Sequence, residues 1–300
     1  MSALATRQLG ELSDPVVGPY AGFRAALATM HGKERAITPS FRDRLAMTVV
    51  LAPDIDTDTL GTFTGEIPRA GTIRAAAVAK ARLGMTVTGL PIGIASEGAY
   101  GPHPSVPFIP CGIELLVLVD DERGIVVCEH LVDDAPVYDH IVANGIGAMP
   151  NFLQRVRFPD HALIARPNAP MGRDAPHLKG LRTVDSLARA IIECAAWSRD
   201  GNALVQTDMR AHMNPTRMAK IGRLSERICD RLVVPCPSCA SPGYGQIDIE
   251  RGLPCGGCGG PSHMVLHQIF GCFACNHRER RRRSDDRTHA DPSVCPECNP

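Results

Sequence analysis

Aromatic residues are scarce, at 4% of a 300-residue chain with a single Trp. That excludes an aromatic base-stacking platform as the main business of the protein. The core must be built from Ala, Val, Ile and Leu. Net charge is missing as well: Lys plus Arg and Asp plus Glu number 32 each. Bulk attraction to nucleic acid or to an anionic membrane is therefore not expected. Long apolar runs are also lacking. The best, Ile113 to Val119, falls far short of the roughly 18 residues that a membrane span needs. The first residues hold no apolar stretch of the kind a secretory leader carries, so the cytoplasm is the expected location. The length still allows one large domain or two smaller ones with a sizeable core.

Cysteine is what the chain has in plenty. Of its 12 cysteines, eight fall after residue 235 as four C-x₂-C pairs: Cys236 and Cys239, Cys255 and Cys258, Cys272 and Cys275, Cys295 and Cys298. A disulfide framework is not expected without a leader, whereas such pairs present two thiolates at tetrahedral spacing. Eight thiolates make two Cys₄ sites for two structural Zn²⁺. Cys111, Cys128, Cys194 and Cys229 sit in apolar surroundings and are expected to be small buried hydrophobes. His263, His267 and His277 are expected to be exposed or outside the metal shells.

The intervals between pairs are 15, 13 and 19 residues, which does not fix the sharing. Sequential sharing is the simple option. Nesting, with the inner two pairs on one metal and the outer two on the other, is equally allowed, and is similar to the cysteine-rich region of DnaJ-type chaperones. The inner stretch reads as one ribbon, which favours nesting. Arg278 and Arg280 to Arg283 form a basic run, yet residues 234–300 hold seven basic and seven acidic residues. With two Cys₄ zinc sites the tail becomes net acidic, so a structural role is expected.

Before the tail, strand-like and helix-like patterns alternate. Strands are expected near 23–29, 47–51, 91–96, 162–165 and 203–207. Two further runs, 113–119 and 125–131, are joined by a short polar link and read as a hairpin. Helices are expected over 34–46, 72–83 with Gly84 as the stop, 139–156, 184–197 and from Asn214-Pro215 to about 232. Residues 166–180 read as a surface loop. This gives an α/β class: a mixed sheet flanked by helices, with a small C-terminal zinc-ribbon-like module. The expected division is a flexible lead-in at 1–21, an α/β domain at 22–232 and a two-zinc module at 233–300.

Four polar clusters mark candidate sites. The first is Ala28 to Glu34, a strand–loop–helix turn whose Thr29, Gly32 and Lys33 suit a phosphate cradle. The second is Gly61 to Arg69, containing Glu66. The third is Ser96 to Pro104, beginning where a strand ends; its Glu97 suits a hard divalent cation. The fourth is Thr207 to Met218, which packs Asp208, Arg210, His212, Asn214, Thr216 and Arg217 between a strand and a capped helix.

These four stretches, together with the terminal cysteine pairs, resemble a bacterial family defined by a domain of unknown function with a zinc-binding tail. The order of elements is also similar to the inosine-triphosphatase-like superfamily of nucleotide pyrophosphatases. Thr29 and Lys33 stand where that superfamily has a Thr-Asn-x-x-Lys loop, with Met30 replacing the Asn. The resemblance implies that Lys33 binds phosphate, Glu97 holds Mg²⁺, and His212 and Arg217 read a nucleotide. The superfamily's acid in the second helix is replaced by Arg74 or Ala75. A second Mg²⁺ ligand would then come from Glu66, Asp54, Asp56 or Asp208. The leading expectation is a Mg²⁺-dependent hydrolase acting on a nucleotide or another phosphoanhydride. The alternatives are a non-catalytic phospho-ligand-binding protein and a nucleic-acid-associated zinc ribbon. A phosphorylated small molecule is the expected partner, and nucleic acid and membrane are not. Self-association into a homo-oligomer stays open.

Overall fold

The computed structural model describes residues 18–55, 71–102 and 108–300. Among them, three sheets form. The first, in the order β2-β1-β3-β4-β5, contains β1 (Arg24–Leu27), β2 (Thr48–Leu51), β3 (Ile92–Pro102), β4 (Pro110–Asp120) and β5 (Ile125–Asp133). Strand β1 runs parallel to β2 and β3, while β3, β4 and β5 form an antiparallel meander. The mixed α/β class expected from the alternating pattern is the class observed.

Helices cover both faces of this sheet. On one side lie α1 (Glu34–Leu45) and α5 (Pro215–Leu232), and Ile37, Phe41, Ile221 and Leu224 pack against Ile92, Ile94, Leu116 and Leu118. On the other lies α2 (Ile73–Thr88), where Ala77, Ala81 and Met85 meet Ala95, Leu115 and Val117. Residues of alternate parity on β3 and β4 therefore face opposite helical layers, and each layer packs apolar side chains against them. That is why these strands read as continuous apolar runs. Burial starts early in the chain: Tyr20 is fully buried and donates to Asp120 at 3.1 Å.

A second, antiparallel sheet has the order β6-β9-β7-β8, from β6 (His140–Ala143), β7 (Leu163–Pro167), β8 (Leu178–Leu181) and β9 (Ala203–Thr207). It has its own core with α3 (Pro150–Arg155) and α4 (Val184–Ala196), centred on Phe152, Leu187, Ile191 and Val205. The third sheet, β10-β11-β12, belongs to the cysteine-rich tail and comprises β10 (Gly245–Arg251), β11 (Val265–Gly271) and β12 (Arg278–Arg282).

Several boundaries differ from expectation. The helix expected over 139–156 is instead β6 followed by the short α3. His140–Ala143 pair with Ala203–Gln206, and that pairing outweighs local helical preference. Part of the expected 166–180 loop is β8. Gly84 does not stop α2 but lies inside it; a Cβ there would stand 3.3 Å from Ala28 Cβ, so glycine lets the helix approach β1. Gly89, with φ +67°, is the actual C-terminal cap. Strand β3 continues past Ser96 to Pro102, carrying Glu97, Gly98 and Tyr100 onto the sheet rather than into a loop.

Close packing of α2 on the sheet also depends on Gly93. A Cβ at that position would meet the Ala81 carbonyl oxygen at 2.7 Å and Met85 at 2.6 Å. Gly93→Ala is expected to push α2 outward and cost about 1–3 kcal/mol of stability, measured by urea unfolding of the zinc-replete protein.

Candidate functional site and zinc centres

Lys33, at the start of α1, is buried, and its ammonium donates to the Ser96 carbonyl at 3.2 Å. Glu97 points to the opposite face of β3, where Lys80 of α2 meets its carboxylate at 2.7 Å with both groups buried. Arg217, in the first turn of α5, is held by Glu114 of β4: its Nε donates at 2.5 Å. Its Nη1 donates to the Met209 carbonyl, and the Tyr100 hydroxyl donates to Glu114 at 2.8 Å. The strand register places Gly98 directly opposite Glu114. A Cβ on Gly98 would lie 2.4 Å from Arg217 and 2.7 Å from Glu114. Only glycine leaves room for that ion pair to lie flat on the sheet.

Electrostatics tie these groups into one cluster. Burial, then repulsion from Arg217, lowers Lys33 from its ordinary value near 10.5 to about 8, against the pull of Glu114 and Glu97. His31 is lowered to about 4 by burial and then by Lys33, His212, Arg210 and Arg217. Its ring stacks on that of His212, with centroids 5.2 Å apart. Burial likewise lowers His212. The fold thus gathers Lys33, Glu97 and Arg217 around β3 and places His212 at their rim beside His31. Thr29 caps this loop locally, its hydroxyl accepting the His31 N–H at 3.4 Å.

Asp208 is fully buried and bound to Arg210 at 2.6 Å, and it also accepts the Gly180 N–H at 3.1 Å. These bonds fasten the second sheet to the loop before α5. Glu66 and Asp56 lie outside the described residues, and Asp54 is exposed. Sequence reasoning passed over Lys80 and Glu114. The signal for Glu114 was present: a lone carboxylate inside an apolar strand buried on both faces needs a cation.

The described residues do not fit a Mg²⁺ site. Such an ion takes carboxylate oxygens and water, but Glu97 is neutralised by Lys80 and Asp208 by Arg210.

The cysteines fit metal. Two groups of four thiols converge, Cys236, Cys239, Cys272 and Cys275 in one and Cys255, Cys258, Cys295 and Cys298 in the other. Thiol sulfurs lie 3.7 Å apart for Cys239 and Cys272, and 3.8 Å apart for Cys255 and Cys298. A tetrahedron with Zn–S bonds of 2.3 Å has an edge of about 3.8 Å. Backbone N–H groups point at the sulfurs, from Gly257 to Cys255 at 3.3 Å and from Ala274 to Cys272 at 3.3 Å. Each tetrad could hold one Zn²⁺.

The sharing is neither nested nor sequential: the first pair joins the third, and the second joins the fourth. The antiparallel meander dictates this. Four knuckles separated by three strands alternate between the two ends of the sheet, so one metal site lies at each end.

Residues 80–300 match the family described as Domain of unknown function (DUF6671). The chain belongs to that family. No curated protein and no solved structure matches it. The DUF6671 span includes Lys80, Glu97, Glu114, Arg217 and all eight tail cysteines, whereas Lys33 and His31 precede it.

Two outcomes are expected. Elemental analysis should find two zinc ions per chain, falling to one in the Cys255→Ser/Cys298→Ser double variant. Cys255→Ser/Cys272→Ser, which strikes both tetrads, should lose both; one remaining zinc would restore the nested arrangement. Glu114→Leu should strand a buried guanidinium and cost about 3–5 kcal/mol, read from denaturant unfolding.

Proposed function

We propose that this DUF6671 chain binds a phosphorylated small molecule at the Lys33–Arg217 cluster, with two structural Zn²⁺ in its tail. The observation that carries the reading is a charge imbalance. Among the described residues, three buried cations (Lys33, Lys80 and Arg217) face two buried carboxylates, Glu97 and Glu114. Lys80 and Arg217 each have a carboxylate, while Lys33 has the Ser96 carbonyl. A buried ammonium without a counter-ion is costly, and a phosphate oxygen would supply one. The position also fits: ligands of open α/β sheets bind outside the carboxyl ends of parallel strands, and Lys33 follows β1.

Beside the cluster lies a cavity of about 620 Å³ lined by Gly32, Arg35, Arg182 and His212. That volume is in the usual range for small-ligand sites. Neutral imidazoles at His31 and His212 would offer hydrogen bonds to the rest of the ligand. A hydrolase in which Glu97 holds Mg²⁺ is the weaker reading, since Lys80 already occupies that carboxylate. Two Cys₄ sites call for a reducing compartment, which supports a cytoplasmic location. Among the described residues, no helix is long and apolar enough to cross a membrane.

Calorimetric titration of the zinc-replete protein with inorganic phosphate, pyrophosphate and inosine triphosphate tests the proposal. At least one should bind, more weakly as pH rises through about 8, because Lys33 then loses the charge that favours the anion. Lys33→Met should cost about 1.5–3 kcal/mol of binding, roughly ten- to hundred-fold in Kd. Absence of binding across the panel, or binding indifferent to Lys33→Met, would sink it. Release of phosphate or pyrophosphate with Mg²⁺, abolished by Glu97→Gln, would replace it with the hydrolase reading.

A further inference from the structure

Where α5 ends against the zinc tail, one buried guanidinium is incompletely satisfied. Arg231 is 8% exposed. Its Nε donates to the Gly243 carbonyl at 3.0 Å, and its Nη1 donates to the Cys128 carbonyl at 3.2 Å and to Glu129 at 2.8 Å. The Phe273 ring lies 5.2 Å from the guanidinium. A Cβ on Gly245 would come within 2.8 Å of Nε, so the start of β10 is closed down on this group. Among the described residues, Nη2 has no hydrogen-bond partner. A planar fork held by three directed bonds and a ring is fixed in place, and its remaining N–H groups call for an acceptor.

Arg231 lines a cavity of about 710 Å³ between β5, the start of α2 and β10. Arg74 and Arg227 line it too. Arg227 shares Glu129 with Arg231, at 3.3 Å, and Arg74 lies near the Cys128 thiol. Three guanidinium groups therefore face two carboxylates, those of Glu129 and Asp248, which leaves one positive charge. His130 and Gln246 also line it, and Leu115, Ile247, Ile249 and Phe273 supply an apolar strip. Convergent cationic groups beside an apolar strip are the usual anatomy of a small-molecule site.

We propose that this junction cleft binds an organic monoanion with an apolar body. Its acidic head would accept from Arg74 and Arg231, and its body would lie on Ile247, Ile249 and Phe273. Because β5 and α5 supply one wall and β10 the other, occupancy would fasten the zinc tail to the first sheet. The cleft is separate from the Lys33 cluster and its proposal does not rest on the phosphate reading.

Fluorescence of anilinonaphthalene sulfonate with the full-length, zinc-replete protein reports on the cleft, with octanoate as competitor. Octanoate should displace the dye, whereas octanol and inorganic phosphate should not, and saturating pyrophosphate should leave the dye in place. Arg74→Gln should weaken octanoate at least about ten-fold, the loss of one charge-assisted contact. Ile249→Asp should abolish its binding, with two zinc ions and the circular dichroism spectrum retained. Equal displacement by octanol, an unchanged affinity in both variants, or no binding of octanoate at millimolar concentration would overturn the proposal.

Discussion

The Arg217–Glu114 ion pair sets the geometry on which the rest of the site depends. It sits between the first turn of α5 and the middle of β4, fully removed from solvent. Two charges at that depth gain little net stability from each other, because desolvation offsets most of their attraction. What they impose is position. The guanidinium must reach the Met209 carbonyl as well as Glu114, which fixes the loop leaving β9. The carboxylate must also accept from Tyr100, whose ring occupies the space above Gly112. A third residue, Gly98, is obliged to have no side chain. One polar contact thus determines the residues at four places in the chain and brings the second sheet onto the first.

The same pair explains the condition of Lys33. With Glu114 already committed to Arg217 and Glu97 to Lys80, the ammonium of Lys33 is left buried against a neutral carbonyl, with the surrounding charges, two of each sign, opposing one another. Natural proteins tolerate such a cost chiefly where function calls for it. Burial alone would lower its proton affinity; the neighbouring guanidinium lowers it further. A site built this way is pre-organised, since the side chains that would meet an anion are held by neutral carbonyls or by carboxylates on the far side. Little rearrangement would then be needed on binding.

Much of this was legible in the sequence, and the exceptions have physical causes. Eight thiols in C-x₂-C pairs announced two metal sites because thiolate spacing is a local property. Asn214-Pro215 announced α5 for the same reason: the Asn side chain accepts the Arg217 N–H at 2.9 Å, as a cap should. The hairpin of β4 and β5 followed from two apolar runs and a polar link. Lys80 and Glu114 were missed because each looks ordinary in its own element, a lysine in an alanine-rich helix and a glutamate in a strand. Their meaning appears only when burial on both faces is known. The strand at 140–143 was missed because its partner lies some sixty residues away, and pairing at that distance leaves no periodic trace.

The zinc tail shows how topology can outrank spacing. Counting residues between knuckles leaves every pairing open, since each interval can close a ribbon. Assigning a strand to each interval does not: an antiparallel chain reverses at every turn, so odd and even knuckles gather at opposite ends. A nested tail would give an inner ribbon able to fold around its own metal. Interleaving removes that independence, because each site draws one knuckle from either side of another site's ligands. Cys236 follows α5 closely, and the Gly243 and Tyr244 N–H groups both bond to the Val234 carbonyl, at 3.1 Å. The first site is therefore continuous with the last helix of the α/β region. The second, at the far end of β10 to β12, closes the sheet by joining Cys255 and Cys258 to the last knuckle. Loss of metal at one end would fray the strand ends gathered there and loosen the shared sheet, yet the other end keeps its own four thiols and with them its metal.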